Sequence, residues 1–232
     1  SQSGSNPNLE SSTSKNWSLG VEWQPEGRLQ GLRLGFDWYD IREKNLISSI
    51  SSSLIVQDVE QYGTASPYAP LVRFGVSATG ETYFGTGTPV TAPGQLSSRP
   101  SDTVWISNSI VNVAGYWQSG ADLRVSYSHE TTSFGTFSGQ ITTSYIKDYV
   151  IQSLPTSTPV DYASSYSGSS LYPRWRSFVQ LGWRYDGFTA GINLKIIPSV
   201  TDIATPGTPK VDSYRSLDLR AGYEFSDGIA KG

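Results

Sequence analysis

Residues able to perform acid–base or nucleophilic chemistry are sparse in this chain. Its single histidine, His129, lies in the segment His129-Glu130-Thr131, so a Ser-His-Asp triad could have only one centre. Serines are plentiful, but none lies in the Gly-x-Ser-x-Gly pattern of a nucleophile elbow. We interpret His129 as a solvated turn residue and predict that the chain is not an enzyme.

Acidic pairs offer oxygen ligands for a hard cation such as Ca²⁺, namely Asp37 with Asp40 and Asp58 with Glu60. No Asp-x-Asp-x-Asp-Gly loop accompanies them, and the absence of cysteine excludes thiolate metal sites and disulfides. The glycines of Phe84-Gly85-Thr86-Gly87-Thr88 lack the lysine and helix that follow a phosphate-binding loop. We therefore predict no metal and no cofactor.

Side chains suited to ligand contact are more numerous. Aromatic rings on loops can stack on sugars or chelate rings, and arginine pairs with carboxylates. Arg174 and Arg176 are the first candidates for contacting an anionic ligand, followed by Trp105, Tyr83 and Tyr68. In the alternative interpretation, the aromatic residues pack the loops against one another and the arginines belong to a ladder of strand charges.

Alternation of apolar and polar residues with a period of two dominates the chain, and helical periodicity is nearly absent. Such alternation predicts strands with one apolar and one polar face. The seven predicted strands lie at 17–24, 32–38, 111–127, 137–145, 174–185, 188–196 and 217–225.

The connections between these strands alternate in length. Short turns are predicted at 25–31, near 128–133, and at Asp186-Gly187, a strong hairpin signal. The long connections are 44–109, 150–173 and 198–213. Short turns on one side and long loops on the other are typical of outer-membrane barrels. The predicted fold is all-β: an antiparallel transmembrane β-barrel arc with short periplasmic turns and long extracellular loops.

The apolar faces could meet lipid in a barrel or form the core of a soluble β-sandwich. Strands of about 9–12 residues favour a bilayer crossing. Aromatic rings lie near both ends of two predicted strands, Trp17 and Trp23 in the first and Trp175 and Trp183 in the fifth. Trp175 and Trp183 are about 26 Å apart along their strand, close to the height of the apolar band of a barrel. Lipid is therefore the predicted partner of the apolar faces, and a soluble carbohydrate-binding sandwich is the alternative.

Composition narrows the class further. The chain has 232 residues, 12% aromatic and 16% charged, which is not the composition of a disordered protein. A net charge of −3 without any lysine or arginine cluster argues against a nucleic-acid partner. Single-chain bacterial barrels close with an even number of strands, so seven strands predict an arc of a larger barrel. The missing initiator methionine agrees with a processed or truncated fragment.

The opening Asn6-Pro7-Asn8-Leu9, followed by Ser14 and Trp17-Ser18-Leu19-Gly20-Val21, resembles a signature of TonB-dependent receptors. Ser11 and Ser12 stand where that family has Pro-Glu.

Two later segments resemble the same family. Phe36-Asp37-Trp38-Tyr39-Asp40-Ile41-Arg42 is similar to its Asp-Tyr-Tyr-x-Ile strand. Tyr214 with Leu217-Asp218-Leu219 and Tyr223-Glu224-Phe225 is similar to its third-last barrel strand.

The resemblance implies a bacterial outer-membrane receptor that imports a siderophore, cobalamin or glycan with energy supplied through TonB. Residues 1–232 would then be a partial barrel domain from the receptor's C-terminal half, with seven of about 22 strands. The last strands and the plug domain that contacts TonB would be absent from it. Its partners would be outer-membrane lipid, a small-molecule nutrient and TonB. A passive porin shares the architecture without a plug and is the remaining alternative.

Overall fold

The computed structural model describes residues 9–75, 87–100, 102–107, 110–168 and 170–225. It contains one α-helix and fifteen strands within these ranges. The elements, in chain order, are β1 (Thr13–Trp23), β2 (Leu32–Ser48), α1 (Ser52–Tyr62), β3 (Val72–Phe74), β4 (Thr88–Pro89), β5 (Val104–Ile106), β6 (Val111–Thr131), β7 (Gly135–Gln152), β8 (Val160–Asp161), β9 (Ser165–Ser167), β10 (Ser170–Tyr172), β11 (Trp175–Tyr185), β12 (Phe188–Ile197), β13 (Val200–Asp202), β14 (Lys210–Val211) and β15 (Tyr214–Tyr223). Three single-turn 3-10 helices lie at Gly27–Leu29, Gly63–Ala65 and Ala69–Leu71. None of the helical segments in the described residues is long and apolar enough to cross a membrane.

The seven predicted strands form one sheet, which we call the wall sheet, in the order β1-β2-β6-β7-β11-β12-β15. Neighbours in this sheet are consecutive long strands, so the sheet is a meander. The β2, β6 and β7 strands are longer than predicted, at 17, 21 and 18 residues. The Asp186-Gly187 turn is confirmed, and both residues adopt positive φ angles, 44° and 82°, as a tight hairpin turn requires.

Strand register gives the wall sheet two chemically distinct faces. On one face, Gln180 of β11 lies between Gln140 of β7 and Asn193 of β12, and Asn193 is opposite Asp218. One residue along, Leu181 lies between Gly139 and Ile192 on the opposite face. Because side chains alternate across a strand, these two rows belong to a continuous polar and a continuous apolar face.

The apolar face is exposed rather than buried. Leu181 is 50% exposed, Trp17 is 70% exposed and Leu219 is 72% exposed. A soluble sandwich would cover such residues with a second sheet. In the described residues no second sheet lies over them, and the structure therefore disagrees with the sandwich alternative.

The chain divides into two compact units. Among the described residues, unit 1 takes in parts of Ser1–Ser14, Glu43–Tyr116 and Ile151–Val160. Unit 2 takes in parts of Lys15–Arg42, Trp117–Val150 and Asp161–Gly232. Unit 1 has a buried apolar core, which we call the unit 1 core. Its members are Ile50, Ile55, Val59, Tyr68, Val72, Phe74, Val90, Leu96, Val111 and Leu154.

The first long connection is structured, contrary to the expectation that helical periodicity is nearly absent. Helix α1 follows Ser51, whose hydroxyl caps it by accepting a hydrogen bond from the Leu54 amide. It ends before Gly63, which has a φ of 55°. Only Ile55, Asp58 and Val59 of the helix are buried. This buried stripe is too narrow to be visible as sequence periodicity, and a buried aspartate breaks it.

Asp58 connects α1 to the second long connection within unit 1. Its side chain is buried, and its two carboxylate oxygens accept hydrogen bonds from the hydroxyls of Ser66 and Thr156. Hydrogen bonds to a charged group stabilise more than neutral ones, and a buried carboxylate without donors is costly. Residues 98 positions apart are thus joined by one buried side chain.

Glu60 of α1 stabilises a second segment of the first connection. Its carboxylate accepts hydrogen bonds from the amides of Leu96 at 2.9 Å and Ser97 at 3.0 Å. Hydrogen bonding from Ser97, and secondarily from Leu96, lowers the pKa of Glu60. A lowered carboxylate pKa means that the ionised form stabilises the folded state.

We expect the stabilisation by ionised Glu60 to be complete above the ordinary pKa range of glutamate, and to be lost as the pH falls through the lowered pKa of Glu60. Acidification should therefore loosen segment 91–99, and hydrogen exchange of the amides of Leu96 and Ser97, corrected for its intrinsic pH dependence, would measure it. In Glu60→Gln these amides should exchange faster near neutral pH, and this part of the acid dependence should be lost. An unchanged acid profile in the variant would contradict the assignment.

Candidate functional site

The candidate site is a groove of about 380 Å³ in unit 2, which we call the Arg176 groove. It lies where β10 and Pro173, from the second long connection, meet the polar face of the wall sheet. Three further grooves on that face are lined by strand and short-turn residues alone. The lining residues are Tyr39, Ile41, Gln118, Asp122, Ser144, Ile146, Leu171, Tyr172, Pro173 and Arg176.

Polar side chains reach the groove from four strands of the wall sheet. Arg176 of β11 is opposite Ser144 of β7 and is exposed. On β6 and β2, the Gln118 amide donates a hydrogen bond to the Tyr39 hydroxyl over 3.3 Å. Gly120 permits this arrangement, because a Cβ there would collide with the Tyr39 hydroxyl and with the carbonyl of Tyr145. The groove therefore offers a guanidinium, an amide and two kinds of hydroxyl to a ligand.

Apolar side chains line the remainder of the Arg176 groove. They are the aliphatic groups of Ile41, Ile146 and Leu171 with the ring of Pro173. Tyr172 contributes both an apolar ring and a hydroxyl to the lining. Its ring stacks on that of Tyr149, with 4.8 Å between the ring centres, and contacts that of Tyr162 at 5.7 Å. Pockets that combine apolar walls with a few convergent polar groups are typical of small-molecule sites.

Arg174 lies next to the groove but does not line it. Its guanidinium donates hydrogen bonds to two backbone carbonyls, those of Lys147 and Ala163. Asp161 accepts from the amides of Tyr149 and Ala163, so Arg174 and Asp161 hold the same segment. Of the two predicted arginines, the structure places Arg176 in the groove and Arg174 in the support beneath the second connection.

We expect Arg174→Ala to loosen residues 161–173, because the carbonyls of Lys147 and Ala163 would lose their charged donor. Hydrogen exchange of the amides of Ala163 and Ser164 should accelerate by about tenfold, equivalent to roughly 1.4 kcal/mol of local stability. Arg176→Ala is the matched control, and exchange at these amides should stay unchanged. Equal acceleration in both variants would contradict a supporting role specific to Arg174.

Two of the three aromatic residues predicted to contact a ligand, Tyr68 and Trp105, belong to unit 1 and do not line the Arg176 groove. Tyr68 is 2% exposed in the unit 1 core, and its hydroxyl donates to the carbonyl of Asn112 over 3.4 Å. Burial, and secondarily the Asp58 carboxylate, raises the pKa of Tyr68 to about 12. Trp105 of β5 donates its indole N–H to the carbonyl of Gly75 at 2.9 Å. Tyr83 lies outside the described residues. Ligand contact by these residues stays a prediction.

The acidic pairs considered for calcium are engaged elsewhere. Asp37 forms an ion pair with Arg124, and Asp40 forms one with Arg42 at 2.9 Å. Asp58 and Glu60 accept the hydroxyl and amide hydrogen bonds described above. In the part of the chain that the structure describes, no three or more histidine, aspartate or glutamate residues cluster as metal ligands.

Sequence reasoning did not single out Tyr39, Gln118 or Asp122 as site residues. Alternation assigns each of them to the polar face. Their approach to Arg176 depends on the relative register of β2, β6, β7 and β11, for which the sequence carries no local signal.

Comparison with known families decides what kind of barrel this is. The β-barrel of TonB-dependent receptor-like proteins matches residues 1–230. The chain belongs to this family. The match confirms the family resemblance found in the sequence motifs, and it identifies a receptor barrel rather than an enzyme.

Solved structures of siderophore receptors have the same fold. The siderophore receptor PirA from Acinetobacter baumannii is 15% identical with a TM-score of 0.56, over 96% of this chain and 27% of that receptor. A variant of the ferric enterobactin receptor PfeA from Pseudomonas aeruginosa is 13% identical with a TM-score of 0.53, over 95% and 25%. Another PfeA variant, in complex with enterobactin, has a TM-score of 0.52 at 13% identity, over 94% and 24%.

The chain spans about a quarter of the length of these receptors. No curated protein sequence matches it. At these identities the likeness concerns the fold, while the family assignment comes from the match over residues 1–230.

Proposed function

We propose that this chain is part of a bacterial outer-membrane receptor that binds a small nutrient at the outward ends of its strands and imports it. The observation that carries the proposal is an exposed apolar face on the wall sheet of a TonB-dependent receptor barrel. Burial of each large apolar side chain in lipid contributes about 1.5–3 kcal/mol. An uncovered face of this size is therefore favourable only against acyl chains.

The polar face is correspondingly assigned to a hydrated lumen. It carries ion-paired charges, such as Arg124 with Asp37, that would be costly in hydrocarbon. In the complete receptor, a plug domain would occupy this lumen and transmit the energy supplied by TonB. The Arg176 groove would then lie at the outward mouth, where the long connections begin.

The nutrient is proposed to be a siderophore, with cobalamin and glycans as the other members of the class. Support comes from the related folds, which include a siderophore receptor and a receptor for ferric enterobactin. The groove of about 380 Å³ can hold part of such a ligand.

Uptake measurements test the proposal directly. Deletion of the gene that encodes the complete receptor should abolish uptake of one labelled iron chelate, cobalamin or oligosaccharide. Deletion of tonB should abolish the same uptake, since energy is required. Uptake that continues without TonB would instead identify a passive porin, and recovery of the receptor in the soluble fraction would exclude a barrel.

A further inference from the structure

We infer that the Arg176 groove selects a ligand of zero or positive net charge, and rejects polyanionic chelates such as a ferric tris-catecholate. This inference rests on the proposed function and names the substrate class of the same site. Three observations carry it: the charges that line the groove, the engagement of the neighbouring Arg174, and the apolar lining.

The groove itself is electrically balanced. Arg176 is its one lining cation among the described residues, and Asp122 is its one lining anion. A cavity of about 380 Å³ is roughly 9 Å across, so a ligand inside it lies near both charges. Screening acts over a Debye length of about 8 Å at physiological salt, and it therefore does not hide Asp122 from the ligand. An anion in the groove is attracted by Arg176 and repelled by Asp122.

Arg174, the cation nearest to Arg176 along the chain, is already engaged with the backbone. Arg174 is bound to two carbonyls, and Asp161 binds the amide of Ala163, whose carbonyl Arg174 contacts. A site for a multiply charged anion needs several donors aimed at the ligand, and here Arg176 is the cation that lines the groove.

The apolar part of the lining offers a favourable contribution that needs no charge. Ile41, Ile146, Leu171 and Pro173 can cover the hydrocarbon arms of a ligand, and the Tyr172 ring can stack on it. The amide of Gln118 and the hydroxyls of Tyr39 and Ser144 can orient neutral carbonyls or hydroxyls. A neutral, amphipathic ligand therefore uses every group in the groove, whereas an anion uses mainly Arg176.

The test compares ligands that differ in charge, with the complete receptor purified in detergent. The probes are a triply anionic ferric tris-catecholate, a neutral and a singly cationic ferric tris-hydroxamate, cobalamin and a neutral oligosaccharide. We expect one of the neutral or cationic probes to bind at least about tenfold more tightly than the tris-catecholate, a difference of roughly 1.4 kcal/mol. Tightest binding of the tris-catecholate would overturn the inference and leave the proposed function intact.

Two variants locate the effect in the groove. Asp122→Asn should increase the affinity for the tris-catecholate about three- to tenfold, because one repulsive charge is removed. Arg176→Gln should weaken the tris-catecholate further and change the affinity of neutral probes by less than about threefold. Asp218→Asn, on the same polar face but outside the groove, is the matched control and should change neither.

Equal responses to Asp122→Asn and Asp218→Asn would overturn the assignment of selectivity to this groove. If none of the probes is bound by the receptor or imported by cells that carry it, the proposed function fails, and the inference fails with it.

Discussion

Leu181→Arg is expected to destabilise the folded receptor by about 2–4 kcal/mol, the cost of an arginine on the lipid face near the bilayer midplane. Leu181 is central in β11, lies between Gly139 and Ile192 on the apolar face, and is 50% exposed. The guanidinium would have to remain among acyl chains without hydrogen-bond partners. Urea unfolding of receptor refolded into phospholipid vesicles would measure the loss.

Gln180→Arg provides the matched control, because Gln180 is the adjacent residue and points to the opposite face. Its amide lies 3.4 Å from Asn193, among polar neighbours that can solvate an added charge. We expect a change of less than about 1 kcal/mol, as for most polar-surface substitutions. If Leu181→Arg unfolds at the urea concentration of the parent, the apolar face does not contact lipid, and the proposed function loses its main support.

Phe74→Ala is expected to destabilise the unit 1 core by about 3–5 kcal/mol. Phe74 is 1% exposed, and the Arg99 guanidinium lies 5.0 Å from the centre of its ring. Removal of the ring leaves a cavity in the core and exposes the apolar side of α1. The expected results are rapid proteolysis of residues 50–107 and fast amide exchange in α1, while exchange in β11 and β12 stays unchanged.

Leu54→Ala serves as the control for this experiment. Leu54 lies in α1 of the same unit but is 40% exposed, so its truncation should cost less than about 1 kcal/mol. Equal loss of protection in the two variants would mean that the first connection has no cooperative core. Loss of protection in β11 together with α1 would mean that the two units unfold together.

Several features of the fold could be predicted because their causes are local. The pleat of a strand places alternate side chains on opposite faces, so the different environments of Leu181 and Gln180 can be predicted from the sequence alone. Asp186-Gly187 tolerates two positive φ angles, and this pair fixes the turn between β11 and β12. Family motifs such as Phe36–Arg42 then identified the receptor barrel, which the match over residues 1–230 confirms.

The structure of the first long connection could not be predicted in the same way. Helix α1 is short, and Asp58 interrupts its apolar stripe because the buried carboxylate is satisfied by Ser66 and by the distant Thr156. No local sequence pattern predicts a hydrogen bond between residues 98 positions apart. Tyr68 and Trp105 were ligand candidates by residue type, and only the fold shows that one is buried and that the indole of the other binds a carbonyl.

The seven wall strands, their two faces, their short and long connections and the family could all be predicted from the residue types. Each of these depends on the residue type at neighbouring positions, where backbone geometry sets the period. The different roles of Arg174, which supports the second connection, and Arg176, which lines the groove with Asp122, became clear only from the fold. That outcome depends on strand register and on how a long connection folds back, and both are set by contacts between residues far apart in the chain.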